Sequence, residues 1–273
     1  MSFDALSPGG LDYLPCRYGS SKILFRGPRR PLDSPYIAFF GGTTTYGKYI
    51  ATPFPDLVEG ALGTTCINFG CVNGGIDLYA ADPYLREVAN SASVTVIQVT
   101  SPRNISNRFY QVHPRRNDRF VEASALLRAI YREVDFAEFN FTNHMLQRLQ
   151  LISPERFLAV VEELQAAWRA RMRLTLSQMS GKTILLWASG APPQDTALDI
   201  DHDPAFVTRA MVDDLRPMVT EVVEVVASPD AKAAGTEGMV FADMDAAAAK
   251  TMLGPQMHRE VADALAKTLD QMI

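Results

Sequence analysis

The sequence predicts an α/β fold of three layers. A parallel sheet of about five strands lies between helices, and a helical insertion follows the third strand. Three observations predict it. Five short runs, residues 37–40, 65–69, 93–99, 183–188 and 219–226, are dominated by apolar and β-branched residues, as strands buried on both faces are. Segments with helical periodicity alternate with those runs. Most of the runs empty into a polar loop with glycine or proline, and right-handed crossovers gather such loops on one rim of the sheet, where open α/β sheets hold their ligands.

Residues 1–34 hold Pro8, Gly9, Gly10, Pro15, Gly19, Gly27, Pro28 and Pro31, which interrupt any long helix or strand, so they read as an extended arm. Arg17, Lys22, Arg26, Arg29 and Arg30 make it basic, as either a solvated surface or a contact to an anion or partner. Residues 35–273 then form one domain with the insertion at about 118–180. After the first strand, 54–63 has a proline near its start and a glycine at its end, a short-helix signature. Helical periodicity returns over 76–88, broken at Asp82-Pro83. Within the insertion, 120–134 and 154–179 read as long amphipathic helices, joined by an aromatic stretch at 136–141 and a further turn or two near His144. Asp203 and Pro204 are placed to cap and begin a helix over 203–216, and Pro255 starts a last helix over 255–272.

With 273 residues, 47% of them apolar and 21% charged, the chain can bury one sizeable core and belongs to neither the disordered nor the membrane class. No apolar run approaches the roughly 20 residues that span a bilayer, and the opening residues lack the basic and apolar regions of a signal peptide, so a cytoplasmic protein is expected. Cys16, Cys66 and Cys71 do not have the number or spacing of a disulfide framework or a metal site. No metal and no cofactor is expected. Net charge is −5, divided unevenly: residues 1–120 carry 12 Lys/Arg against 9 Asp/Glu, and residues 121–273 carry 14 against 22. That balance disfavours nucleic acid and leaves room for a local anion site in the first half.

Two stretches carry candidate chemistry. In Gly41-Gly42-Thr43-Thr44-Thr45-Tyr46-Gly47 the glycines permit a tight turn at a strand's end, and the threonines offer hydroxyls there. The lysine that follows, Lys48, lacks the Ser/Thr of a nucleotide-triphosphate loop. The second stretch is Arg103, Arg108, Arg115, Arg116 and Arg119, interleaved with Asn104, Asn107, Tyr110 and His113. Guanidinium forks suit a carboxylate, phosphate or sulfate; equally, they can pair with the acidic helices that follow. The acidic loop 199–203 reads as a solvated helix start, and Leu164, Trp168 and Met172 as a core stripe.

In order and spacing, four of these features resemble the SGNH (GDSL-like) hydrolases. Thr43 stands where that family has its serine nucleophile, Asn68-Phe69-Gly70 resembles the second block, Asn104 the third, and His258 the fifth. The resemblance implies Thr43 as nucleophile or positioning hydroxyl, His258 as base, and Gly70 N–H with Asn104 as oxyanion donors. Gly42 replaces the block's aspartate, and Pro255 stands where the acid partner of the histidine would be. Over its whole length the chain also resembles the alphaproteobacterial family DUF6473, through Tyr18–Ser21, Phe109–Arg119 and Gly235–Val240. From these likenesses the expected activity is ester hydrolysis or acyl transfer on a small-molecule or glycan substrate with an anionic group, held by Gly42, Thr44, Arg103, Arg108, His113, Arg115 and Arg116. The alternatives are group transfer from a sulfo- or phospho-donor, and a non-catalytic protein that binds an anionic glycan or a protein partner. A broad apolar face on the insertion points to a homodimer.

Overall fold

β1 (Tyr36–Gly41) is buried from end to end, and its side chains enter two different cores. Tyr36, Ala38 and Phe40 face one side of the sheet and Ile37 and Phe39 the other, following the two-residue period of a strand. The computed structural model describes residues 9–273, so the signal-peptide reading of the first residues and Pro8 of the arm fall outside it. After β1 come the four-residue helix α1 (Thr43–Tyr46), α2 (Phe54–Leu62), β2 (Thr65–Gly70), α3 (Asp77–Ala80), α4 (Pro83–Ser91) and β3 (Val94–Gln98). A hairpin of β4 (Tyr110–His113) and β5 (Arg116–Ala123) precedes α5 (Ala125–Ile130), α6 (Thr142–Ile152) and α7 (Pro154–Ser177). β6 (Lys182–Ser189), α8 (Arg209–Asp213), β7 (Glu221–Val226), α9 (Pro229–Ala234), α10 (Ala246–Ala249) and α11 (Pro255–Leu269) follow.

Five strands form one parallel sheet in the order β2-β1-β3-β6-β7. Strand order reverses between β1 and β3, which opens a crevice beyond their C-terminal ends. On one face, the arm (Tyr18, Ile23, Phe25), α3, α4, α8 and the second half of α7 (Trp168, Met172, Leu176) pack together. On the other lie α2, α9 and α11. Each large apolar side chain removed from water in these layers contributes about 1.5–3 kcal/mol. The arm is fastened: Cys16 and Phe25 form a bridge, and the Ser21 hydroxyl donates to Asp82 Oδ2 at 2.7 Å. Asp82 in turn caps α4 through the N–H groups of Tyr84 and Leu85.

The insertion has a core of its own. Tyr110, Val112, Phe120, Leu127, Phe136, Leu146 and the first half of α7 (Phe157, Val160, Val161, Leu164) meet Ile200 and Phe206 there. Two expectations are corrected here. Residues 120–134 do not form one helix: the chain is a strand to Ala123, and Ser124 accepts from Leu127 N–H at 3.2 Å, starting α5 at Ala125. The insertion therefore opens with a hairpin, upstream of residue 118. Nor does a helix begin at Asp203. Ala205, Phe206 and Val207 are all buried, which no half-exposed helix allows, and Thr208 caps α8 through Met211 N–H at 3.3 Å.

Candidate functional site

The turn after β1 is held by a side chain from the neighbouring strand. Gln98 ends β3, and its Oε1 accepts from Gly42 N–H (3.1 Å), Thr45 N–H (3.2 Å) and the Thr45 hydroxyl (2.7 Å). At the other end of α1, Gly47 adopts φ +72°. Arg26 from the arm donates to the carbonyls of Gly47 and Ala51, each at 2.8 Å. The turn is thereby fixed at both ends.

Thr43 projects from this turn toward the loop after β2. Its oxygen accepts Asn73 N–H at 2.9 Å, and its hydroxyl donates to Asn73 Oδ1 at 3.3 Å. Asn73 sits at φ +55°, a left-handed conformation that asparagine tolerates better than most residues. Its carbonyl receives Asn104 Nδ2 at 2.9 Å, and Asn104 Oδ1 accepts from the Thr142 hydroxyl at 3.0 Å. Thr142 is the first residue of α6, so the insertion orients the asparagine after β3.

Arg103 ties a further wall to the same rim. It donates to Asn143 Oδ1 (3.2 Å), the carbonyl of Ile200 (3.0 Å) and Asp203 Oδ1 (3.2 Å). Gln147 holds Asp201 at 3.0 Å. The acidic loop is therefore clamped, and Asp203 serves it as an ion-pair partner where the sequence suggests a helix cap. The Ser189 hydroxyl donates to the Asp203 carbonyl at 2.7 Å, and its oxygen lies 3.4 Å from His202 Nε2.

These segments enclose a cavity of about 610 Å³, the size of a small-molecule site. Its walls run along the rim from Asn73 and Gly74 after β2, through Gly42–Thr44, Gln98, Thr100 and Asn104, to His202 and Asp203 after β6. Beyond β7 it is closed by Lys232 and by 250–254, with Lys250. Both lysines are exposed and enter no ion pair among the described residues. Among the same residues no three His, Cys, Asp or Glu side chains gather as metal ligands. The buried thiol of Cys71 is pushed up to about 12 by desolvation, and that of Cys66 is also pushed up, chiefly by desolvation, so neither is a thiolate nucleophile near neutral pH.

Of the residues singled out from sequence, the cavity brings together Gly42, Thr43, Thr44, Arg103 and Asn104. The others stand elsewhere. Gly70 donates its N–H to Asn68 Oδ1 at 2.9 Å, and a Cβ there would lie 2.2 Å from Tyr46 N, so it is the glycine that lets α1 rest on β2. Gly74, four residues on, is the glycine at the rim. His258 is 2% exposed, its Nδ1 accepting Phe54 N–H at 3.1 Å and its ring tilted against Phe54. Burial, with a smaller contribution from the charge of Arg26, lowers its pKa to about 3. It is a neutral side chain between α2 and α11, and it does not line the cavity. Arg108 pairs with the nearly buried Glu163 of α7 and pins the hairpin down. His113, Arg115 and Arg116 form the hairpin turn, where Arg115 N–H donates to His113 Nδ1 at 3.2 Å, and none of the three lines the cavity.

The family model described as a domain of unknown function, DUF6473, matches residues 1–273. The chain belongs to the DUF6473 family. No curated protein matches this DUF6473 member. Among solved structures it is similar to the lipase Lip_vut3 from a goat rumen metagenome, at 10% identity and TM-score 0.43, covering 88% of this chain and 97% of the lipase. A structural-genomics target from Lactobacillus plantarum is similar at 12% identity and TM-score 0.39, with 88% and 98% covered.

Among the cavity residues of this DUF6473 member that escape a reading of the sequence are Asn73, Gln98, His202, Lys232 and Lys250. Only Gln98 leaves a signal, as a lone amide at the end of a β-branched run. The others reach the rim on irregular segments or short helices with no periodicity to follow.

Proposed function

We propose that the protein binds a small polar ligand with an anionic group, of the acidic-sugar type, in the rim cavity, and that binding rather than attack by a hydroxyl is its activity. The observation that carries this reading is the pairing of Thr43. Its hydroxyl is engaged in both directions by Asn73, and the expected base, His258, is buried against Phe54 as an acceptor. A hydroxyl nucleophile needs a base within hydrogen-bond reach, so these contacts favour a positioning role for Thr43. Hydroxyl and amide groups suit a sugar's hydroxyls, while Lys232 and Lys250 supply the cationic end.

Calorimetry with N-acetylglucosamine 6-phosphate, glucuronate and glucose tests it. The two anionic sugars should bind, and the K232A/K250A double variant should weaken them by roughly tenfold, about 1.4 kcal/mol, without affecting neutral glucose. Absence of binding by every anionic sugar would overturn the proposal. So would turnover of short acyl esters by the wild type, which would return the site to hydrolysis with His202, the histidine that lines the cavity, as the base.

A further inference from the structure

Gln98 is 95% removed from solvent, yet only half of its amide is satisfied by the protein. Its oxygen is committed to three donors around the β1 turn. Exchanging oxygen and nitrogen would set an NH2 group against the backbone N–H groups of Gly42 and Thr45, so the orientation is fixed by chemistry. Nε2 therefore points the other way. It finds no partner among the described residues, and it is not among the sealed polar atoms without one, which are Tyr49 Oη, Arg119 Nε and Arg169 Nε. Gln98 lines the rim cavity, and that is where its open side lies. A donor that the protein leaves unpaired at a cavity wall is free for an acceptor on whatever fills the cavity.

We infer that Gln98 is a ligand-reading residue whose Nε2 donates to an uncharged carbonyl oxygen, of the N-acetyl type, on the molecule that fills the cavity. This rests on the cavity being the binding site proposed above. The carbonyl assignment follows from the order of groups along the rim. The two lysines lie on segments that follow β7, and β7 is two strand spacings, roughly 10 Å, from β3. The threonines that line the cavity, Thr43, Thr44 and Thr100, are neutral, and the guanidinium that lines it, that of Arg103, is already paired with Asp203. A ligand whose charge is met by the lysines thus presents a neutral part to Gln98. A site built around a hydrogen-bond donor rejects an analogue that lacks the acceptor.

The test compares N-acetylglucosamine 6-phosphate with glucose 6-phosphate, which carries the same anion and no carbonyl. The wild type should prefer the N-acetyl sugar by roughly tenfold. The Q98E variant keeps an acceptor for all three donors of the turn, should melt within a few degrees of the wild type, and should lose that preference. Because both sugars bear the phosphate, the added carboxylate affects them alike and the ratio isolates the lost donor. In 15N-labelled wild type, the Gln98 side-chain NH2 resonance should move with the N-acetyl sugar and stay in place with glucose 6-phosphate. Equal binding of the two sugars, a preference that survives in Q98E, or an unmoved Gln98 resonance overturns the inference and leaves the binding proposal standing. Failure of the wild type to bind either sugar overturns the inference, and failure to bind glucuronate as well overturns both.

Discussion

His258 is where a single side chain should govern the response to acid. Its pKa is about 3 in the folded protein and near 6.5 when unfolded, so between those values the unfolded chain binds the extra proton. Stability is then full above about pH 6.5 and falls as the pH drops toward 3, by at most about 5 kcal/mol from this group. His258→Asn places an amide oxygen near the position of Nδ1 and removes the titration. Urea unfolding at pH 7 and pH 4.5 should show a markedly smaller difference for that variant than for wild type; an equal difference would mean that His258 is not the group responsible. The same residue shows what spacing can and cannot reveal. Successive side chains of a helix are about 100° apart. Met257 reaches the cavity, while His258 turns away from it to lie beneath Phe54. A motif match fixes the position of a residue to within one or two, and on a helix one residue separates a site from a core. Gly42, Thr43 and Thr44 follow β1 directly, and Arg103 and Asn104 stand on the short turn after β3, so the direction of the chain brings all five to the rim.

At the scale of elements, α1 rests on β2 with no room for a side chain at Gly70. Gly70→Ala should cost about 3 kcal/mol, since the new methyl meets backbone atoms of Thr45 and Tyr46 that cannot rotate aside. Urea unfolding measures it, and a loss under 1 kcal/mol would show that α1 can shift. The sheet was readable from sequence because its strands are buried on both faces and flanked by turns. The hairpin was not. Its register slips twice, between Gln111 and Val112 and again before His113, and the extra residues fall in β5, whose burial loses the two-residue alternation that announces a strand. The run of arginines then invites a functional interpretation. In the structure Arg108 grips Glu163, and Arg119 lies over the Phe141 ring at 4.4 Å, so these two hold the insertion in place.

Across the whole molecule, Arg103 joins the loop after β3, the start of α6 and the loop after β6. Replacing it with alanine should release the wall at 199–206. Hydrogen exchange of amides there should rise at least tenfold, and the melting temperature should fall by a few degrees. Unchanged protection would show that the insertion core, through Ile200 and Phe206, holds that wall without the guanidinium. The helix α7 bears on the same question. Its 24 residues rise about 36 Å, with one half in the insertion core, the other against the sheet, and Trp168 Nε1 bonded to the carbonyl of Thr100 at the cavity's edge. It acts as a splint: the insertion cannot swing over the cavity like a hinged cap without tearing Trp168 from the sheet. With the 199–203 loop clamped by Arg103 and Gln147 as well, any accommodation of a guest falls to the span between α9 and α11, residues 235–254, which carries Lys250.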